Sequence, residues 1–332
     1  MSRAQRFTAN GAPDAGFQMA LMRNLTVAQL RSASPLPEDA QRVVDQAVVR
    51  VGLDRLTLVA DLLAEGLTYP LADPLGVLEL KWDSVSETGG AQRTMNPEAR
   101  GENQLPDRTG RSVPIYLTTD DFFMGIRTLR ASERVGAPLD TSMIEQATRR
   151  VNEAIEDAAI NGVSFTVGGN AAPGLLTAPN VNTYAYASNE AWDAAGKTGE
   201  EVLGDVLAMI DVATGDKRYG PFNLYVPTLY GNALNRDFKA NGDKTTLMRL
   251  EEIMVGGRNL RVRPTDMMPA NRTALVQMTS DVIDVVDGQA PTVIPWTSPS
   301  GMTLHWMVMA IMVPRVKTDY SSRSGIVIGN TT

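Results

Sequence analysis

The sequence predicts an α+β fold whose helices and strands come in mixed order. Three observations carry that expectation. Apolar residues recur at helical spacing over 140–161 and again over 198–213. Short runs rich in β-branched and aromatic residues fill most of the chain after 259. The two kinds of segment do not alternate as a series of parallel βαβ units would.

Residues 1–36 hold few periodic apolar positions and include Gly11, Pro13, Gly16 and Pro35, which reads as an extended arm. Within it, Phe17, Met19, Leu21, Met22, Leu25 and Leu30 suit a short helix or a strip packed along another subunit. Residues 37–65 carry two helical stripes, Val43 to Val51 and Leu56 to Leu63, divided at Gly52 and capped by Gly66. A strand is expected over 75–82. Residues 83–112 then turn polar and rich in glycine and proline, with only Val85, Met95 and Leu105 as larger apolar residues. Such a stretch cannot fold alone. A disordered linker, an active-site lid and a projecting hairpin ordered by a partner all answer that description. Strand-like segments on both sides, 75–82 and 113–118, favour the hairpin.

The clearest helix spans 140–161, with Ile144, Ala147, Val151, Ala154, Ile155 and Ala158 on one face. Ser142 and Glu145 form a possible capping box, and Asn161–Gly162 marks the stop. Glu145, Arg149, Glu153, Glu156 and Asp157 read as its solvated, paired face. Residues 163–196 are rich in Gly, Ala, Asn and Thr. Thr198 with Glu201 caps the helix over 198–213. A strand (222–226), helices near 228–238 and 245–254, and strands at 259–263, 273–278, 281–286, 291–296 and 302–313 complete the chain. No internal repeat is present.

Composition narrows the chemistry. At 332 residues the chain is long enough for one large or two modest domains. It has no cysteine and one histidine, His305, which removes disulfides, thiolate chemistry and histidine-rich metal sites. The formal net charge of -7 disfavours a non-specific grip on nucleic acid. Arg3, Arg6, Arg23 and Arg31 against Asp14 make the N-terminal arm locally basic, so it touches phosphates, touches an acidic neighbouring subunit, or is simply solvated. Arginine outnumbers lysine 25 to 6, which suits many subunit contacts and also follows from high genomic GC content. No secretion signal precedes the arm, and the apolar run Trp306–Val313 is too short to span a bilayer, so the expected site of synthesis is the cytoplasm.

The candidate chemical motifs each fail a physical test. The run 168–174, GGNAAPG, lacks the lysine and hydroxyl residue of a phosphate loop. Asp120 and Asp121 read as a turn or helix cap, since strand neighbours point to opposite faces. Asp281, Asp284 and Asp287 read as edge-strand charges, because the spacing of a calcium loop is missing. His305 reads as half-buried in an apolar strand, and Met302, Met307, Met309 and Met312 as core or interface filler. No catalytic residue, cofactor or metal is expected.

After the helix ending at Asn161–Gly162, the segment Ala172–Pro173–Gly174–Leu175–Leu176–Thr177–Ala178–Pro179–Asn180–Val181–Asn182 resembles the glycine–leucine–leucine–X–X–proline segment of encapsulins and tailed-phage major capsid proteins. Tyr225–Val226–Pro227, the LEEIMVGG run at 250–257, and the strands Asp281–Val286 and Met302–Pro314 resemble the rest of that family, in the same order.

The resemblance implies the Hong Kong 97 capsid fold. It implies an N-terminal arm (1–36), a peripheral domain (37–82, 115–196 and 281–332) with the spine helix at 140–161, an extended loop (83–114) lying across a neighbour, and an axial domain (197–280). Residues 287–301 would form a loop near the threefold axis. Inter-subunit contacts are then expected from Arg3, Arg6, Phe17 and Arg23 in the arm, Arg93, Arg100, Arg108 and Arg111 in the extended loop, and Pro291 and Trp296 in the threefold loop. The implied protein is a non-enzymatic major capsid protein that forms pentamers and hexamers of an icosahedral head around double-stranded DNA. Its implied partners are copies of itself and scaffolding, portal or decoration proteins, with no membrane.

Some relatives lock their shells by a lysine–asparagine bond. Residues 83–113 hold no lysine and 287–301 no asparagine, so no such crosslink is expected. The helix at 37 starts too early for a cleaved scaffolding segment. The alternative within the resemblance is an encapsulin shell around a cargo enzyme, which the long arm and hairpin disfavour. A carboxylate hydrolase with 83–112 as a lid has no supporting constellation.

Overall fold

A computed structural model of the chain describes residues 48, 56–86, 95, 105–135, 142–164, 166–167, 169–239 and 242–331. The arm at 1–36, most of the helix expected before 56, and residues Arg3, Arg6, Phe17, Arg23, Arg93 and Arg100 lie outside the described residues. The described chain opens with α1 (Leu58–Ala64), β1 (Thr68–Pro70), β2 (Glu79–Val85), β3 (Arg108–Pro114), β4 (Thr118–Gly125), α2 (Ile126–Val135) and α3 (Ser142–Asn161). The short hairpin β5 (Thr166–Val167) and β6 (Asn170–Ala171) leads to β7 (Asn182–Ala185), α4 (Gly199–Gly215), β8 (Phe222–Pro227), α5 (Gly231–Leu234) and α6 (Thr246–Glu251). A second short hairpin, β9 (Met254–Val255) and β10 (Arg258–Asn259), precedes β11 (Arg261–Thr265), β12 (Arg272–Gln277), β13 (Ile283–Thr297), β14 (Thr303–Val316) and β15 (Ile326–Asn330).

Two sheets organise these elements. The first has order β1-β13-β14-β4 and carries the spine helix α3. Ile144, Ala147, Val151 and Ile155 of α3 meet Leu304, Trp306, Val308 and Ala310 of β14 in one core. The second sheet has order β11-β8-β12-β15-β7 and is apolar on both faces. Leu224, Val226, Leu275 and Val327 face α4, whereas Tyr225, Ala274, Val276, Ile326 and Ile328 join the core under α1 and α3. This period-two division follows from alternate side chains leaving a strand on opposite faces.

Several expectations hold. The spine helix ends at Asn161, and Gly162 follows at φ 79°. Thr198 and Glu201 form a reciprocal capping box on α4. The polar stretch after 82 is a hairpin where it is described, with β2 and β3 paired antiparallel from Glu79↔Pro114 to Val85↔Arg108. Gly66, at φ 71°, follows α1.

Other expectations are corrected. The two strands expected at 281–286 and 291–296 are one, β13, so residues 287–297 are strand and only a short turn at 298–302 remains of the expected threefold loop. Register shifts between Asp287 and Thr292 absorb Pro291, and beyond Asp287 the strand has no described partner on its β1 side. An edge tolerates proline because no ladder bond is lost there. Asp120 and Asp121 lie within β4 and are neither turn nor cap. The helix expected at 228–238 is a 3₁₀ turn, Thr228–Tyr230, plus the four residues of α5. The helix expected at 245–254 stops at Glu251, because Gly256 and Gly257, both at positive φ, turn the β9–β10 hairpin. Strand β15 was not anticipated. It pairs with β12 and β7, which places 326–330 and 182–185 in one sheet with β8, β11 and β12. Ile326, Val327 and Ile328 are apolar on both faces and need this interior position.

Glu156 also departs from expectation. It does not share the solvated face of α3 but is fully buried. Its carboxylate accepts hydrogen bonds from Thr57 Oγ1 (2.6 Å), Leu58 N (2.7 Å) and Val59 N (3.2 Å), so the spine helix caps α1. Burial pushes its carboxyl above the ordinary glutamate range, opposed by these hydrogen bonds. A raised folded value means that its favourable contribution is complete below the ordinary value of 4.5 and is lost as pH rises through the folded value. The stability of the wild type relative to Glu156→Gln is therefore expected to fall as pH rises through the weakly acidic range. Denaturant titrations of both proteins at a series of pH values test this, and a rising difference would contradict it.

Candidate subunit interface

The β2–β3 ribbon pairs with no other described strand. Its base is held by apolar packing: Leu80, Trp82, Val113 and Ile115 cluster with Val286, Ile311 and Val313 on the sheet beneath. Beyond the paired strands, apolar side chains stand in water. Leu78 is 71% exposed, Leu105 96% and Met95 fully so.

A buried ionic cluster fixes the sheet beneath the ribbon. Arg315 donates from Nε to Asp284 Oδ1 (2.8 Å) and from Nη2 to Oδ2 (2.5 Å), and Lys317 Nζ reaches Oδ2 at 2.6 Å. The guanidinium lies 4.7 Å from the Tyr69 ring centroid and 5.3 Å from that of Trp82. One arginine thus ties β13, β1 and the ribbon together. Asp284 is therefore not the expected edge-strand charge. It is buried because β1 and β14 flank this part of β13 on both sides.

On the other end of the same sheet an aromatic row crosses three strands. Phe123, His305 and Trp296 are opposite one another in the β4–β14–β13 register. His305 is half-buried and stacks on Trp296 with centroids 5.4 Å apart, and Phe123 tilts against it at 5.9 Å. Phe123 and the neighbouring Met302 are each 66% exposed. Phe122, one residue away, points inward and stacks on Trp306 at 5.4 Å.

Of the four described candidate contact residues, Arg108 makes a loose pair with Asp83 at 4.0 Å, both exposed, which contributes little by itself. Arg111 lies opposite Trp82 in the ribbon, with its Nε buried and without a hydrogen-bond partner. Trp296 joins the aromatic row, and Pro291 sits apart at the register shift. Phe123, Leu78 and Leu105 are not among the contact residues the sequence points to, and Met302, which it points to as core or interface filler, stands exposed. The signal for Leu78 and Leu105 was their apolar character in or beside a polar stretch.

The segment that carries the family resemblance closes the spine helix. Leu175 N and Leu176 N donate to Ala159 O (2.8 Å) and Ile160 O (2.9 Å), satisfying carbonyls that a helix end leaves open. Gly174 is forced by this contact: a Cβ there would stand 2.2 Å from Gly162 N and 2.7 Å from Ile160 O. Gly174→Ala is expected to cost at least the ~1–3 kcal/mol of an overpacked core, seen as a lowered denaturation midpoint. Gly196→Ala, which meets nothing within 4 Å, is the control and is expected to shift stability by less than ~0.5 kcal/mol. Equal effects would contradict this account.

Among the described residues, no group of three or more His, Cys, Asp or Glu is placed to hold a metal, and no helix is long and apolar enough to cross a membrane.

The arrangement has counterparts among solved structures. A virus-like particle protein from Pyrococcus furiosus aligns with a TM-score of 0.62 at 19% identity, covering 87% of this chain and 98% of that one. The capsid protein of Myoviridae phage XM1 aligns at 0.61 with 12% identity, covering 81% and 91%. The capsid protein of a native GTA particle aligns at 0.56 with 13% identity, covering 83% and 91%. No curated protein matches the sequence. The chain has the Hong Kong 97 capsid fold. The model of a family of unknown function, DUF6260, matches residues 30–329, and the chain belongs to that family.

Proposed function

We propose that this chain is the major capsid protein of a tailed bacteriophage. It assembles into pentamers and hexamers of an icosahedral head that encloses double-stranded DNA. The observation that carries this reading is the β2–β3 ribbon, which is flanked by exposed Leu78 and Leu105 and pairs with no other described strand. A second copy covers these side chains, and a closed shell repeats that contact until weak individual contacts suffice. The capsid fold supports the same conclusion. The shell is non-enzymatic. It is built in the host cytoplasm, with scaffolding, portal and decoration proteins as further partners, and it becomes part of the virion. A net charge of -7 suits a container that does not grip its contents. Arg3, Arg6, Phe17, Arg23, Arg93, Arg100, Arg108, Arg111, Pro291 and Trp296 are the proposed contact residues.

The second reading is an encapsulin shell around a cargo enzyme, favoured by the likeness to the Pyrococcus furiosus particle. Negative-stain microscopy of the purified protein and of its source particles separates them. Angular heads with tails support the phage, and small, uniform, tailless cages support the encapsulin. Discrete small oligomers would overturn both. Denaturing gels of intact particles are expected to show single subunits, and a covalent ladder would contradict assembly without crosslinks.

A further inference from the structure

We infer that the cleft at the base of the ribbon is a socket for a carboxylate side chain of a neighbouring copy. The inference rests on the shell reading above. The cleft has a volume of about 340 Å³ and lies between the ribbon, the segment 170–179 and the end of β14. Trp82, Pro173, Pro179 and Pro314 give it apolar walls. Its charged lining residues are Arg111 and Arg315, and no carboxylate lines it.

The two arginines are not equivalent. Arg315 spends Nε and Nη2 on Asp284, which Lys317 shares, so this cluster sets two cations against one anion. Arg111 has no ion pair among the described residues, and its Nε is buried with no acceptor. A guanidinium N–H withdrawn from water and left unpaired is destabilising, whereas one facing a carboxylate makes a charge-assisted bond. Among the described residues Arg111 thus lacks the carboxylate partner that Arg315 has, and the part of its guanidinium that lines the cleft is what an incoming anion would meet.

Charge complementarity names the occupant. The chain carries 38 acidic against 31 basic residues, so a second copy brings an excess of carboxylates over cations. Two acidic copies repel on approach unless specific basic sites receive those groups. An arginine fork beside tryptophan and proline walls matches a planar carboxylate, and the low polarity of the walls strengthens the pair.

The test uses the full chain. A cryo-electron map of wild-type particles is expected to show a carboxylate of the adjacent copy within hydrogen-bond distance of the Arg111 guanidinium. An empty cleft, or one holding only a free anion such as buffer phosphate, would overturn the socket. Arg111→Gln is expected to raise the protein concentration for half-assembly at least about tenfold, with Arg111→Lys between it and wild type. The denaturation midpoint of the unassembled subunit should not fall in either variant. Should Arg111→Gln fail to fold, the wild-type map and Arg111→Lys still decide. Wild-type shells with unchanged assembly of the variants would overturn the socket and leave the shell reading intact. Wild-type protein that never forms shells would overturn both.

Discussion

Asp284→Ala is expected to destabilise the subunit by about 3–5 kcal/mol, the range for breaking a buried ion pair from one side. The substitution leaves Arg315, whose side chain is 6% exposed, and Lys317, 21% exposed, without their shared anion. Two neighbouring cations then repel in a site that water reaches poorly. The same change frees the guanidinium stacked between Tyr69 and Trp82, so the loss spreads from β13 to β1 and the ribbon. Asp284→Asn keeps the volume and one acceptor and is expected to fall between alanine and wild type. Asp284→Leu combined with Arg315→Met is expected to recover much of the loss, since buried ion pairs are replaceable by well-packed apolar groups. Denaturant titration of the unassembled subunit measures all three. A loss below ~1 kcal/mol for alanine would mean that the cluster is solvated and does not anchor the ribbon.

A comparable loss is expected at Asp205 in the other core, with a built-in asymmetry. The Asp205 carboxylate and the Lys197 ammonium are 3.0 Å apart, and both side chains are fully buried. Asp205 also accepts from Trp192 Nε1 (3.0 Å), Ala187 N (2.8 Å) and Tyr184 OH (3.4 Å). Lys197 has one further acceptor, Ala187 O at 2.8 Å. Removing the carboxylate strands a buried ammonium and the buried Trp192 N–H, so Asp205→Ala is expected to cost about 3–5 kcal/mol. Lys197→Met leaves the carboxylate three donors and keeps an apolar stem, and is expected to cost clearly less. Thermal and denaturant midpoints of the two variants decide the point, and an equal or reversed order would contradict this description of the cluster.

The sequence by itself determined the elements whose signals are local. Apolar spacing set the spine helix Ser142–Asn161, and the Thr198–Glu201 pair, three residues apart, set the start of α4. Polar residues and glycines between two strand-like runs set the ribbon. A segment of glycine, leucine and proline after the spine helix was legible as a family mark, and with it the fold. The candidate interface was legible only in outline: arginines in the ribbon and Trp296 were readable, but not which of them stands without a partner.

The tertiary structure decided everything that depends on what meets what. Helical periodicity put Glu156 on the polar face of α3, and only the packing of α1 across that face turned it into a buried cap. Asp284 lies between apolar residues as an edge charge would, yet the three residues of β1 pairing beside it close that edge. Residues 326–330 and 182–185 became neighbours in one sheet across more than a hundred residues of chain, a pairing no local pattern encodes. Gly174 shows the same limit at atomic scale. Its neighbours in sequence permit any small residue, and the backbone of Gly162, 2.2 Å from where a side chain would begin, permits none. Local spacing fixes which face of an element is apolar, whereas burial of a charge or exclusion of a Cβ depends on the element packed against it, and that element comes from elsewhere in the chain.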